Sequence, residues 1–441
     1  MLPHVSEKVV SGPPLRLSKR SSRTAAQPIS YLMHAAVSNP DIISFAAGLV
    51  DPQTMPVSET LNSVTDLLAD SAAARQALQY GTTQGYLRLR ELAIEHLERL
   101  EGRTTSPMDP GNVVITTGSQ QLLQLVSDVL LDPGDIVIMG SPDYFVYMGV
   151  LAGIGARAVG VAMDEHGIVP EALKETMARL DQSQQLSHVK LVYCTSYYQN
   201  PTGVSLAADR RSAILEIVHQ WSTAGRIFLL EDCAYRELYY DKLVAPSIRS
   251  FDEAGRTVIL AQTFSKSFAP GLKTGYSVLP SDLVAPVLCQ KGNHDFGSAN
   301  FNQHLLAVIM EKGWYWEHLH QLRHNYGLKL AAMLGALESE MRMGGVDAHW
   351  TRPTGGLYIW LALPKSVDTT QSGRLFHRCL ENGVLYVPGE HCFPATYDES
   401  GTLGGPSHTM RLSFGVPSVP QIEEGIRRLA AAVSECRGEM H

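Results

Sequence analysis

The stretch RTVILAQTFSKSFAPGLKTGYSVLP, residues 256–280, joins two apolar runs through a polar turn. The first run, TVILAQTF, has the β-branched and apolar residues of a buried strand. It ends at Ser265 and Lys266, and a Pro-Gly turn follows. A lysine at the end of a buried strand is either a solvated amine or a reactive amine that a rigid element holds in place. The rest of the sequence helps to decide whether Lys266 is a solvated or a reactive amine.

The chain on both sides of this stretch alternates short strand patterns with longer helix patterns. Between about residues 110 and 280 the strand candidates are NVVITT, DIVIMG, ARAVGVAM, VKLVYCT, RIFLLED, TVILAQTF and KTGYSVLP. This alternation predicts an α/β fold, in which helices sandwich a mostly parallel, seven-stranded sheet. Ligands of such sheets bind beyond the carboxyl ends of the strands.

Four segments are predicted along the chain. Residues 1–15 form a disordered tail, and residues 16–50 form an N-terminal segment that packs on the domains. Residues 51–320 form a large domain around the sheet. Residues 321–441 form a smaller α+β domain with the strand patterns GGLYIWLAL, GVLYVPG and TMRLSFG.

The composition is that of a globular protein, with 44% hydrophobic and 18% charged residues. A formal net charge of −8 argues against nucleic-acid binding, because phosphate contacts need a basic face. No stretch has the roughly 20 apolar residues that span a bilayer, and the N-terminus lacks a signal-peptide core. The six cysteines show no C-x-x-C spacing, which argues against a metal or redox site. We expect a cytoplasmic protein without a membrane or nucleic-acid partner and without a metal ion.

Two further strand ends carry groups that suit a ligand. In VVITTGSQQLLQLV, Gly118 opens a helix, and the first N–H groups of a helix, here those of Ser119 and Gln120, suit a phosphate. An ordinary capped helix explains the same pattern. In LVYCTSYYQNPTG, Asn200 follows a strand and is either a ligand contact or a turn asparagine.

A third strand ends in two carboxylates. In RIFLLEDCAYREL, Asp232 directly follows Glu231 and the apolar run, where a buried carboxylate needs a cationic partner. The alternative is a helix N-cap. With Lys266 and with Lys273, seven residues later, these groups fit one ligand. It has a phosphate, a heteroaromatic nitrogen, a ring oxygen and an aldehyde, and this set describes pyridoxal 5′-phosphate.

The order of these motifs resembles that of the fold-type I, class I/II aminotransferases, which use pyridoxal 5′-phosphate. The resemblance lies in ISFAAGLVDPQTMP, QYGTTQGYLRLRELAIEHL, QNPTG, TFSKSFAPGL, PTGGLYIWLALP, VLYVPGEHCF and MRLSFG, and it covers nearly all of the chain after about residue 15. Within the family, the chain most resembles the 2-aminoadipate/kynurenine aminotransferases. The resemblance implies a ping-pong transfer of the amino group of an L-amino acid to a 2-oxo acid, commonly 2-oxoglutarate.

The resemblance also implies roles for residues around the cofactor ring. Lys266 would bond the cofactor aldehyde and carry the proton of the substrate α-carbon. Asp232 would face the pyridine nitrogen, and Tyr144 would stack on the ring, although a core tyrosine is an alternative for Tyr144. Asn200 and Tyr235 would bond the ring oxygen.

On the phosphate side, the implied contacts come from Gly118, Ser119, Gln120, Ser265, Lys273 and Tyr80. Tyr80 would reach the phosphate of the neighbouring subunit, which implies a homodimer with shared active sites. Lys273 departs from the family, which usually has an arginine there. A lysine keeps the positive charge but lacks the planar two-pronged contact.

On the substrate side, Arg411 would grip the α-carboxylate with a bidentate fork. Asn200, Gly48 and Arg23 are the other implied substrate contacts. A lyase or an oxygen-using oxidase on this fold would carry the same lysine, aspartate and arginine, so both reactions stay open. An effector-binding domain of a transcription regulator is a further alternative, but only about 40 residues precede ISFAAGLVD, too few for a winged helix.

Overall fold

The structure is a computed structural model that describes residues 15–24, 32, 39, 41–102, 108–242, 246–394 and 405–438. The predicted tail, residues 1–15, lies outside the described residues except for its last position. No helix of the described part is long and apolar enough to cross a membrane.

The strands of the described residues are, in chain order, β1 Ile43–Ser44, β2 Val113–Thr116, β3 Ile136–Ser141, β4 Arg157–Asp164, β5 Gly167–Ile168, β6 Val189–Thr195, β7 Phe228–Asp232, β8 Val258–Thr263, β9 Gly275–Val278, β10 His349–Trp350, β11 Tyr358–Ala362, β12 Val384–Leu385, β13 Val387–Pro388 and β14 Thr409–Ser413. The α-helices are α1 Lys19–Arg23, α2 Val57–Ala69, α3 Ser71–Leu78, α4 Leu87–Glu101, α5 Gly118–Leu130, α6 Phe145–Ile154, α7 Pro170–Gln182, α8 Ala208–Trp221, α9 Ser281–Asp295, α10 Asn300–Glu311, α11 Trp314–Leu337, α12 Arg374–Glu381 and α13 Val419–Gly438.

A large sheet forms the centre of the fold, with its strands in the order β2-β9-β8-β7-β6-β3-β4-β5. The five neighbouring strands from β8 to β4 are parallel, whereas β9 runs antiparallel to β8 and to β2. The predicted mostly parallel sheet is confirmed, and all seven predicted strands are present. An eighth strand, β5, folds back on β4 at the edge. Its two residues are too few to form a periodic pattern, so the sequence does not indicate it.

Helices cover both faces of this sheet because its central strands are apolar on both sides. In β6, Leu191 and Tyr193 pack on one face with residues of α5 and α6. Their neighbours Val192 and Cys194 pack on the opposite face with residues of α7 and α8. Because successive apolar side chains of the strand point to opposite faces, helices pack on both faces and form a three-layer sandwich. The polar groups lie at the ends of the strands.

A second, antiparallel sheet has the order β10-β11-β14-β13. Strand β1 does not join it but pairs in parallel with β12, so that Ile43 lies opposite Val384. Helix α11 runs through the predicted boundary at residue 320 without a break. The bounds of the four segments stay predictions.

Candidate active site

A cavity of about 270 Å³ lies where β6, β7 and β8 end, at the carboxyl edge of the large sheet. Ten of the predicted site residues line it together: Gly118, Ser119, Gln120, Tyr144, Asn200, Asp232, Tyr235, Ser265, Lys266 and Lys273. The other lining residues are Leu49, Thr117, Tyr193, Thr195, Ala234, Thr263 and Pro270. The carboxyl ends of neighbouring parallel strands meet at one edge, which explains why residues so far apart in sequence converge here.

Lys266 follows β8 and reaches into the site. Its amine donates a hydrogen bond of 2.5 Å to the carbonyl of Gly48. Burial lowers the pKa of Lys266, and the positive charges of Arg411 and Lys273 lower it further, while Tyr358 acts in the opposite direction. A lowered pKa increases the fraction of the neutral amine, which is the nucleophilic and proton-accepting form.

Asp232 is the last residue of β7 and is 4% exposed. One carboxylate oxygen accepts from the hydroxyl of Tyr193 at 2.9 Å, and the other accepts from the N–H of Ala234 at 3.0 Å. Burial raises the pKa of Asp232. Among the described residues, no lysine, arginine or histidine forms an ion pair with it. A buried carboxylate without a cationic partner indicates that a ligand supplies the positive charge.

The first turn of α5 forms one side of the cavity, where the cofactor phosphate is predicted to bind. Gly118 has a φ of +72°, a conformation that glycine adopts without strain. A Cβ atom on Gly275 would lie 3.0 Å from the nitrogen of Ser119, so only a glycine lets β9 approach this turn so closely. The N–H groups of the turn have no acceptor within their own helix. This arrangement fits an anionic group at the start of α5.

Lys273 lines the same side of the cavity and has a φ of +50°. Among the described residues its amine has no hydrogen-bond or ion-pair partner. Ser265 lies in the same loop between β8 and β9 and also lines the cavity, and its hydroxyl oxygen accepts from the hydroxyl of Thr263 at 2.9 Å. A cation without a partner at the wall of a cavity is free to bind an anion.

Arg411, on β14, lies behind the cavity wall and is 1% exposed. Its two terminal nitrogens donate to the side-chain oxygen of Asn200 at 2.8 Å and to the carbonyl of Ala46 at 2.7 Å. Its Nε atom is buried without a hydrogen-bond partner. No carboxylate of the described residues forms an ion pair with Arg411. Because Asn200 accepts from Arg411 through its oxygen, its amide N–H groups remain available as donors.

Two predicted site residues lie away from the cavity within this chain. Tyr80 is 83% exposed, and its ring meets that of Phe296 edge to face at 5.7 Å. The guanidinium of Arg23 donates to the carbonyl of Ile154 at 2.8 Å, at the end of α6. Tyr144 immediately precedes the start of that helix, so the structure places Arg23 at the opposite end of α6 from the cavity. Arg23 does not line the cavity of its own chain, and its substrate contact stays a prediction.

No motif in the sequence marks Tyr193, Thr195, Ala46 or Tyr358 as a site residue. Tyr193 and Thr195 belong to the apolar run VKLVYCT, in which a buried tyrosine reads as core. Only their position in the sequence points to the site. Both residues lie near the carboxyl end of β6, and the neighbouring strand β7 also ends in a predicted site residue. Ala46 contributes only a backbone carbonyl, which no sequence pattern reports.

The residues of the cavity fit pyridoxal 5′-phosphate. The carboxylate of Asp232 has no cationic partner in the described chain, Gly118 and Gly275 leave room at the start of α5, and the Lys266 amine is buried. The arrangement offers a separate group to each polar part of the cofactor and one amine to its aldehyde. The individual roles of these residues stay predictions.

Comparisons with known proteins identify the family of the chain. Residues 40–429 match the family described as aminotransferase class I and II. The chain is 34% identical to aromatic-amino-acid aminotransferase 1 of Thermococcus litoralis, over 90% of this chain and 89% of that protein. It is 32% identical to 2-aminoadipate transaminase of Thermus thermophilus, over 94% and 96% of the two chains. The crystal structure of Pyrococcus horikoshii kynurenine aminotransferase superposes with a TM-score of 0.85, at 32% identity, over 95% of this chain and 97% of that one.

These matches confirm the resemblance read from the motifs, the fold, the cofactor and the reaction class. The chain belongs to the class I and II aminotransferases, and it is an enzyme that transfers amino groups with pyridoxal 5′-phosphate.

Proposed function

We propose that this aminotransferase takes the amino group of an L-amino acid and passes it to 2-oxoglutarate in a ping-pong reaction. The observation that carries the proposal is the buried guanidinium of Arg411, which no carboxylate neutralises in the described chain. A buried cation of this kind favours an anionic ligand. An amino acid and a 2-oxo acid share the α-carboxylate, so one arginine serves both half-reactions in turn.

The residues of the cavity divide the chemistry among them. Pyridoxal 5′-phosphate, when bound, supplies an electron sink for the electron pair that the α-proton leaves behind. The amine of Lys266 accepts that proton and later returns one, which its lowered pKa favours. Asp232 keeps a proton at the ring nitrogen, while Asn200 and Tyr235 donate to the ring oxygen.

The phosphate is held by a separate set of groups. These are the N–H groups at the start of α5, the hydroxyl of Ser265 and the amine of Lys273. Gly48 and Arg411 face the substrate. Leu49 lines the cavity and is 45% exposed, so it offers an apolar surface near the opening.

We propose amino donors with a long or aromatic side chain. Support comes from the relatives, which are named for aromatic amino acids, 2-aminoadipate and kynurenine. The apolar surface of Leu49 suits the hydrocarbon part of such side chains.

A donor panel tests this function. The purified enzyme with its cofactor is mixed with 2-oxoglutarate and one amino acid at a time, and glutamate and the new oxo acid are quantified. We expect equal amounts of both products, with 2-aminoadipate, kynurenine or an aromatic amino acid giving the highest kcat/KM. A donor without 2-oxoglutarate should yield one oxo acid per site and then stop. Release of ammonia or consumption of oxygen with turnover would instead identify a lyase or an oxidase.

We also propose a homodimer with shared active sites in the cytoplasm. Tyr80, its ring partner Phe296 and the nearby Leu78 are 83%, 64% and 69% exposed, a group of apolar side chains that a second copy would cover. All six cysteines lie in the described part of the chain, and each is a free thiol. Free thiols suit a reducing compartment.

A further inference from the structure

Tyr358 lies between the groups that face the cofactor and the groups that face the substrate. It is the first residue of β11 and is 1% exposed. Its hydroxyl lies 3.0 Å from the hydroxyl of Tyr235, and the two rings meet edge to face at 5.5 Å. The guanidinium of Arg411 lies 4.4 Å from the centre of its ring. Tyr358 thus contacts the proposed ring-oxygen donor and the proposed carboxylate ligand at once.

A glycine makes room for this hydroxyl. A Cβ atom on Gly48 would lie 2.9 Å from the hydroxyl oxygen of Tyr358, closer than packed atoms approach. The carbonyl of the same Gly48 accepts the hydrogen bond from Lys266. The hydroxyl of Tyr358 is therefore confined between the peptide that holds the Lys266 amine and the hydroxyl of Tyr235.

The number of hydroxyl hydrogens decides which of the two tyrosines donates the hydrogen bond between them. Each phenol has one hydrogen to donate. Under the proposed function, on which this inference rests, Tyr235 donates its hydrogen to the ring oxygen of the cofactor. Tyr235 can then only accept from Tyr358, which has no other hydrogen-bond partner among the described residues.

We propose that Tyr358 is a positioning residue whose hydroxyl donates to the oxygen of Tyr235 and thereby directs the hydrogen of Tyr235 at the cofactor. A phenol that accepts a hydrogen bond becomes a stronger donor, because chained hydrogen bonds polarise one another. The stronger donor stabilises negative charge on the ring oxygen. It therefore favours the deprotonated form of the bound cofactor. The hydroxyl of Tyr358 thus lowers the pH at which half of the bound cofactor is deprotonated.

The pH dependence of the cofactor's visible absorbance, measured without substrate, tests this role. The variants are Tyr358→Phe, Tyr235→Phe and the double variant, and the phenylalanine at position 358 keeps the ring under Arg411. Tyr358→Phe should raise the midpoint of the absorbance titration by about a few tenths of a unit, because it weakens the hydrogen bond of Tyr235 to the cofactor without removing it. Tyr235→Phe should raise it further. The double variant should match Tyr235→Phe alone, because Tyr358 acts through Tyr235.

Two more variants complete the experiment. Tyr386→Phe is the matched control, because it removes a buried hydroxyl that donates to the carbonyl of Thr369 and that does not line the cavity. Its midpoint should equal that of the parent enzyme. Gly48→Ala keeps the hydroxyl of Tyr358 but displaces it, and it should shift the midpoint in the same direction as Tyr358→Phe. This variant decides the question if Tyr358→Phe does not fold.

Three results would overturn the inference. The first is a parental midpoint in Tyr358→Phe together with a raised midpoint in Tyr235→Phe. The second is a shift in the double variant that equals the sum of the two single shifts, since Tyr358 would then act on the cofactor by itself. The third is an unchanged midpoint in Tyr235→Phe, which would also contradict the proposed role of Tyr235, whereas glutamate formation in the donor panel would still support the reaction.

Discussion

At the scale of single residues, Arg411 shows how geometry and charge combine. Its guanidinium is fixed by two hydrogen bonds, to Asn200 and to the backbone of Ala46, while its Nε atom is left without a partner. The ring of Tyr358 supports it from one side. A side chain held in this way presents its remaining donors in a fixed direction, which suits the planar carboxylate that both substrates carry.

The first prediction concerns the guanidinium of Arg411 as the ligand of the substrate carboxylate. Arg411→Lys keeps the charge but cannot form two parallel hydrogen bonds. We expect KM for the amino donor and for the oxo acid to rise about ten- to a hundred-fold, the equivalent of roughly 1.5–3 kcal/mol. Steady-state kinetics with both substrates measures the change, and the absorbance of the bound cofactor should match that of the parent. Parental KM values for both substrates would refute the role of Arg411.

The second prediction concerns the cofactor phosphate. The amine of Lys273 lines the cavity and has no partner in the described chain. Lys273→Ala should lose a charge-assisted contact, so we expect cofactor to dissociate about ten- to a hundred-fold more readily. Lys273→Arg is the matched variant and should retain cofactor at least as well as the parent. Both replacements share any backbone strain at φ +50°, because neither is glycine.

Absorbance after exhaustive dialysis provides the measurement for Lys273. If the alanine variant retains cofactor as well as the parent does, then Lys273 does not contact the phosphate and another group carries the charge.

The sequence indicates the polar residues at strand ends more clearly than the buried tyrosines that contact them. Lys266, Asp232 and Asn200 could be singled out because a polar residue at the end of an apolar strand is conspicuous. Tyr193 and Tyr358 could not, because a tyrosine inside an apolar run reads as core. Only the three-dimensional contacts show that their hydroxyls bond Asp232 and Tyr235.

At the scale of elements, a buried carboxylate links the helices to the loop that carries Lys266. Glu237 is 2% exposed and accepts hydrogen bonds from His96 of α4 and from Tyr315 of α11. The hydroxyl of Tyr315 also lies 2.8 Å from that of Ser267, the residue after Lys266. Burial alone would raise the pKa of Glu237, but His96, Tyr315 and Ser267 together lower it to about 2.

The third prediction follows from this lowered pKa. The folded state favours the ionised form of Glu237, so its contribution to stability is fully present above the usual pKa of 4.5 and is lost as the pH falls towards 2. Glu237→Gln should lower the free energy of unfolding at pH 7 by about 3 kcal/mol, because it breaks a buried charged network. The difference from the parent should shrink between pH 4.5 and pH 2.

Urea or thermal unfolding at a series of pH values checks this dependence. Glu317→Gln is the matched control, since Glu317 lies on α11 two residues after Tyr315 but is exposed. The control should unfold like the parent at every pH. A difference between Glu237→Gln and the parent that stays constant down to pH 2 would contradict the proposed cause.

The lengths of the strands explain why the sequence predicts only part of the fold. The seven longer strands of the sheet have apolar runs that are distinct in the sequence, and their order in the chain predicts a parallel arrangement. The two-residue strands β1, β5 and β12 have no such pattern, because their pairing depends on contacts between distant segments. The pairing of Ile43 with Val384 is an example of a contact that no local signal reports.

At the scale of the whole molecule, Tyr80 is the residue whose predicted role a single chain does not fulfil. Its side chain is 83% exposed and does not line the cavity of its own chain. An isologous dimer would bring Tyr80 of each subunit to its partner, since a two-fold interface uses the same surface on both copies. The sequence suggests this arrangement only through the family resemblance, because composition and periodicity carry no information about a second copy.

The last prediction tests the shared site directly. Lys266→Ala and Tyr80→Ala subunits are co-expressed with different affinity tags, and the heterodimer is isolated by tandem purification. If the sites are shared, one of its two sites combines Lys266 of one subunit with Tyr80 of the other and is intact. We therefore expect about half the activity of the parent dimer, well above either variant homodimer, because Tyr80 would then donate a charge-assisted hydrogen bond to the phosphate of the partner. If each site used its own Tyr80, the heterodimer would have only half the activity of the Tyr80→Ala homodimer, and the shared-site arrangement would be wrong.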